Sequence, residues 1–129
     1  MSARPRLGLA DTSLFVAQEQ DRPLRGEPPE QIAVSVISMG ELSLGVLVAS
    51  ADVRAQRLET VRRVEEFDPL PIDGSVARAW AALRLRLREA GRRMPLNDSW
   101  IAATAIAEGI PVVTQDDDYN VPGLAVIRV

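Results

Sequence analysis

Four acidic residues, Asp11, Glu41, Asp98 and Asp116, each fall where a strand would end or a helix would begin, in a chain of 129 residues that has no His, no Cys and no Lys. Carboxylates are hard oxygen donors, so acids placed in this way point to a bound divalent cation. The absences narrow the chemistry further. A Ser/His/Asp triad, a thiolate nucleophile, a zinc site of His and Cys, a phosphate-loop lysine and a Schiff base each require a residue that is missing. If the chain is an enzyme, its acid–base and metal chemistry must therefore run mainly on Asp, Glu, hydroxyls and water. Each acid taken singly also has an ordinary use. Asp11 suits an N-cap before Thr12, Asp98 a helix amino end, Glu41 a capping box with Ser38, and Asp116 a turn. Their joint placement decides between the two readings.

That placement follows from the elements. Short apolar runs alternate with longer helical patterns, which predicts one α/β domain over residues 1–129. Strands are expected at 7–10, 32–35, 111–114 and 125–129, with a poorly paired edge strand at 70–72 between Pro69 and Pro71. Helices are expected at 12–18, from Ser38 or as early as Val36 to 48, at 52–66, from Asp73 to Gly91, and at 99–108 opened by Asn97 or Asp98. Residues 19–31, with Pro23, Gly26, Pro28 and Pro29, read as a polar loop. Val76, Trp80, Leu83 and Leu87 share one helix face, which makes Trp80 a core residue.

In a parallel sheet Asp11 and Asp116 both lie at the carboxyl edge. The helices that carry Glu41 and Asp98 begin at the same edge, where open parallel sheets bind ligands. Four carboxylates in one crevice repel one another and force proton uptake unless a cation joins them. Mg²⁺ or Mn²⁺ fits such a donor set and lowers the pKa of a bound water, so metal-dependent phosphodiester hydrolysis is the leading chemistry.

Four segments carry a family resemblance: Leu9-Ala-Asp-Thr-Ser13, Ser35-Val-Ile-Ser-Met-Gly-Glu-Leu-Ser-Leu-Gly45, Leu96-Asn-Asp-Ser-Trp-Ile-Ala-Ala-Thr-Ala105 and Val113-Thr-Gln-Asp-Asp-Asp-Tyr119. In order and spacing they resemble the four acidic motifs of the PIN domain. The size and the E-L-x-x-G pattern are similar to VapC-type toxins of bacterial toxin–antitoxin pairs. The resemblance implies a three-layer sandwich, with a central mostly parallel sheet flanked by helices. It implies an endoribonuclease using Mg²⁺ or Mn²⁺, usually homodimeric, that a cognate antitoxin blocks. By motif, Asp11 and Asp98 are the firmest metal ligands. Glu41 and Asp116 complete the quartet, with Asp118 as the alternative to Asp116. Thr12, Ser13 and Thr114 are hydroxyls placed to orient carboxylates or water. A non-catalytic PIN-like module that binds RNA or protein is the alternative function.

The net charge of −3 carries no overall basic signature for nucleic acid, although all fifteen cationic residues are Arg. Arg78, Arg84 and Arg88 lie away from the apolar face of their helix, with Arg92 and Arg93 just past its end. They read either as contacts for RNA phosphates or as a solvated outer face. Leu42, Leu44, Val46, Leu47 and Val48 surround their helix axis, which leaves apolar surface for a second copy or an antitoxin. The absence of Cys, of a signal-peptide pattern and of a spanning run leads to the expectation of a soluble cytoplasmic protein.

Overall fold

The computed structural model describes residues 6–129. The chain runs β1 (Leu7–Ala10), α1 (Thr12–Glu19), β2 (Gln31–Val34), α2 (Val36–Leu47), α3 (Ala51–Glu65), α4 (Gly74–Glu89), α5 (Leu96–Glu108), β3 (Val112–Thr114) and β4 (Val126–Arg128). The strands form one sheet in the order β2-β1-β3-β4, and every pairing is parallel. Ala10 pairs with both Val34 and Val113, so β1, β2 and β3 end nearly level and hand their next residues to one edge.

Side chains alternate across a strand, and β1 divides the core accordingly. Leu9 and Val112 pack with Leu83 and Leu87 of α4 and Ile101 and Ala105 of α5. Ala10 and Val34, on the other face, pack with Phe15 of α1, Leu42 of α2 and Val61 and Val64 of α3. The result is the expected three-layer sandwich. Helix α5 stops at Gly109, whose φ of 68° is a left-handed conformation that glycine adopts at little cost.

Three local expectations are corrected. Helix α2 opens at Val36, and its cap is Ser35, whose Oγ accepts from the Ile37 N–H at 3.0 Å. Ser38 and Glu41 are therefore not a capping box; Ser38 is buried inside the helix. Helix α5 starts at Leu96 behind Pro95, which puts Asp98 in its first turn and not at its cap. Of residues 70–72 only Leu70 pairs, exchanging backbone bonds with Val34 and Val36 beside Ser35. Pro69 and Pro71 have no N–H to extend that ladder.

Asp73 caps α4 as expected, accepting from the Val76 N–H at 3.0 Å. Trp80 is only partly buried. Its ring stacks on Trp100 at 4.4 Å between centroids, and its Nε1–H donates to Ser99 Oγ at 3.0 Å. These contacts tie α4 to the turn of α5 that bears Asp98. Among the described residues no helix is long and apolar enough to cross a membrane.

Candidate active site

Asp11 follows the last residue of β1, and its N–H donates to the Val113 carbonyl at 3.0 Å, which locks it beside β3. Its side chain is only 2% exposed. Ser13 Oγ donates to Asp11 Oδ1 at 2.6 Å and Thr114 Oγ1 donates to Oδ2 at 2.9 Å, so both carboxylate oxygens are held. The two hydroxyls are fixed in turn. Ser13 Oγ accepts from the Gln115 N–H and Thr114 Oγ1 from the Asp116 N–H.

Burial pushes the Asp11 carboxyl up to about 6; the Ser13 and Thr114 hydrogen bonds oppose the rise, and Asp116 and Asp98 add to it. Burial also lifts Asp98 to about 6. A hydrogen bond from Tyr119 opposes that shift, while the charges of Asp118, Glu41 and Asp116 add to it. Asp116 is exposed but shifted upward as well, by desolvation first and Asp118 second, with Arg22 pulling it down. The expected acids thus share one electrostatic neighbourhood beyond the carboxyl edge. Among the described residues, however, no three of them close tightly enough to hold an ion by themselves.

Glu41 lies one turn further into α2 than a cap position, and its Oε1 accepts from Thr12 Oγ1 at 2.6 Å. Thr12 Oγ1 also lies 3.0 Å from Ser38 Oγ, so the buried Ser38 supports the same link between α1 and α2. Asp118 is exposed and reaches the site through its charge. Tyr119 is the residue that reading the acids alone misses. It is fully buried in the core under α5, and its hydroxyl donates to Asp98 Oδ1 at 3.2 Å. Burial first, then the charges of Asp11 and Asp98, drive its pKa far upward, so it remains a donor. Its position directly after three aspartates, as the chain's single Tyr, was the available signal.

Arg84 and Arg88 line a cleft of about 830 Å³ together with Arg92 and Arg93, and no carboxylate lines it. Arg84 also sits over the Trp80 ring, 5.6 Å from its centroid. Arg78 is elsewhere, beside Gly74 and close enough to Asp73 to act on its charge.

Sheet, helices and acids define an α/β domain with an anionic site beyond the carboxyl ends of its strands. A PIN domain model matches residues 9–123. The chain belongs to the PIN-domain family and, within it, to the VapC ribonucleases. It is 47% identical over 121 residues to ribonuclease VapC5 of Mycobacterium tuberculosis, which covers 92% of this chain and 90% of that protein. Ribonuclease VapC4 of the same organism is 47% identical over 131 residues, covering 96% and 98%. The crystal structure of VapBC-5, a toxin–antitoxin member from M. tuberculosis, matches with a TM-score of 0.85 at 45% identity, covering 97% of this chain and all of that chain.

Proposed function

We propose that this protein is an endoribonuclease toxin that hydrolyses RNA phosphodiester bonds with Mg²⁺ or Mn²⁺, and that a cognate antitoxin restrains it in the cytoplasm. The observation that carries the reading is Asp11: a buried carboxylate, held at both oxygens, within the field of Asp98 and Asp116. An uncompensated charge there is costly, and a divalent cation removes the cost. Mg²⁺ is commonly bound by one or two carboxylates with several waters retained, so acids spread around a crevice fit it without forming a closed cage.

Asp11 and Asp98 are the proposed ligands, with Glu41 and Asp116 completing the set. A bound ion supplies charge neutralisation, a more acidic water and polarisation of the phosphate oxygens. Ser13 and Thr114 keep the Asp11 oxygens in one orientation, Thr12 does so for Glu41, and Tyr119 for Asp98. Exposed Asp116 is the proposed acceptor for the proton of the water that attacks phosphorus. The bond from phosphorus to the leaving ribose oxygen then breaks, and that oxygen is protonated from solvent. Arg84 and Arg88, with Arg92 and Arg93, offer cations to the flanking backbone of the RNA. Arg78 is assigned no such part, because it stands apart from them.

Purified, antitoxin-free protein incubated with total cellular RNA and Mn²⁺ is expected to give discrete new RNA ends that EDTA abolishes. Intact RNA in the presence of folded, metal-bound protein would leave a binding module instead. Tyr119→Phe keeps the buried ring and removes only the bond to Asp98. We expect Mn²⁺ affinity and cleavage to fall about 10- to 100-fold with the fold intact, as for other groups that orient a ligand. Calorimetric titration with Mn²⁺ checks this, and wild-type affinity would remove Tyr119 from the site. Tyr119→Ala also empties the core and is expected to cost roughly 3–5 kcal/mol.

Helix α2 ends in exposed Leu44, Leu47 and Val48, while Leu42 is buried. This apolar end supports pairing with another chain. Sedimentation equilibrium of the purified chain is expected to give a homodimer at micromolar concentration, and a monomer there would exclude it.

A further inference from the structure

The acidic site opens on one side into a cleft of about 330 Å³, walled by Ser13 and Asp116 of the site itself and by Arg22, Arg25 and Arg128. Arg22 and Arg128 pull the Asp116 carboxyl down by their charge, and the chemistry described above gives the three arginines no contact with RNA. Arg128 pairs with Asp117. Arg22 and Arg25 are exposed, and Arg22 stands close enough to Asp116 to act on its charge.

The cleft is built, not improvised by a loop. The Arg25 N–H donates to the Val129 carbonyl, and Gln115 Nε2–H donates to the Pro23 carbonyl at 3.4 Å. Gly26 lies so close to the Arg128 carbonyl that a Cβ there would strike it. The loop after α1 is thereby pinned against the end of β4, which fixes Arg25 relative to Arg128 before any ligand arrives.

RNA brings one negative charge per nucleotide toward a site that is itself anionic. A cation at the carboxylates can serve only the phosphate being cut, and its neighbours are repelled unless positive groups wait beside the acids. Guanidinium groups match phosphate oxygens in planar, bidentate fashion. The arginine cleft around Arg84 does not share a residue with the acidic site, whereas this one shares Ser13 and Asp116.

Building on the ribonuclease reading, we propose that Arg22, Arg25 and Arg128 form the subsite for an RNA phosphate adjacent to the scissile one. Arg22 and Arg25 make the direct contacts, and Arg128, already paired with Asp117, completes the positive wall. The subsite holds the strand in register with the acids and sets from which side it enters.

The test uses the full chain carrying Asp11→Asn, so that RNA is bound without being cut, and a fluorescein-labelled mixed-sequence 20-nucleotide single-stranded RNA as probe. Anisotropy is read across a series of NaCl concentrations. Adding Arg22→Ala and Arg25→Ala is expected to weaken binding roughly tenfold or more, from lost hydrogen bonds to a charged group. The slope of log K against log[salt] should become shallower by about 0.7 for each phosphate contact removed. In the cleaving protein the same pair should raise KM far more than it lowers kcat, and Arg22→Lys with Arg25→Lys should restore most of the salt slope. Unchanged affinity and slope in the double Ala variant, when its Asp11→Asn parent binds the probe, would overturn the subsite alone. A parent that does not bind, together with a wild type that does not cleave, would overturn the ribonuclease reading and the subsite with it.

Discussion

Replacing Asp11 by Asn is expected to abolish RNA cleavage and, at the same time, to make the metal-free protein more stable at pH 7.5. Asp11 is 2% exposed, and burial raises its pKa to about 6 from 3.8. At pH 7.5 it is ionised all the same, so the fold carries a penalty on the order of 3 kcal/mol at about 1.4 kcal/mol per pKa unit. Asn has the same shape without the charge. It keeps one acceptor for Ser13 or Thr114, and the other hydroxyl rotates to accept from the new amide. We expect a net gain of about 1–2 kcal/mol after that rearrangement, read by urea denaturation in EDTA. Cleavage should fall roughly a thousandfold or more, the scale of several kcal/mol of lost metal-assisted stabilisation. An inactive variant that is less stable in EDTA would mean that Asp11 serves the fold first and the chemistry second.

The broad architecture is legible because it rests on periodicity. The apolar runs at β1 and β3 and the spacing of Val76, Leu83 and Leu87 on α4 name the core residues directly, and all but Leu7, at the exposed start of β1, are buried. Helix ends are less legible, since competing caps stand close together. Ser38 and Glu41 satisfy a capping-box pattern, yet Ser35 precedes them and caps the helix, while Thr12 draws Ser38 and Glu41 into a tertiary bond. No local pattern contains a partner 26 or 29 residues away.

The same limit applies to the site. Asp11, Asp98 and Asp116 are readable because strand ends and helix starts in a parallel sheet must meet at one edge. Burial is the first cause of each upward shift, and the charges of Asp98 and Asp116 on Asp11, and of Asp116 on Asp98, put the three in one neighbourhood. Tyr119 and Arg22 belong to loops, where no periodicity fixes direction, so their positions beside Asp98 and Asp116 emerge only with the tertiary structure. Arg78 illustrates the converse: grouped with Arg84 and Arg88 by distance from the apolar face, it is separated from them by helical rotation and by Asp73.

Metal-free protein is expected to become more stable as pH falls from 7.5 to 5, the reverse of a fold held by ion pairs. The sign follows from linkage. Asp11 and Asp98 have folded-state values raised to about 6, so their favourable contribution is complete below about 4 and is lost as pH rises through 6. Asp11 alone gives about 1–2 kcal/mol over that interval. Asp98 adds in the same direction, reduced by its partial exposure to solvent. Asp52 and Asp73 are shifted the other way by hydrogen bonds, chiefly from Ser50 and Ser75, and their contribution is lost only below the ordinary carboxylate range. Between pH 5 and 7.5 the acidic site therefore dominates. A divalent cation competes with those protons. Millimolar Mn²⁺ should accordingly stabilise the protein markedly at pH 7.5 and little at pH 5, and Asp11→Asn should blunt the difference. Denaturation curves with and without Mn²⁺ at the two pH values decide the matter. Equal stabilisation at both would show that the ion binds somewhere other than these carboxylates, and a metal-free protein weaker at pH 5 would show that the site does not carry the strain assigned to it.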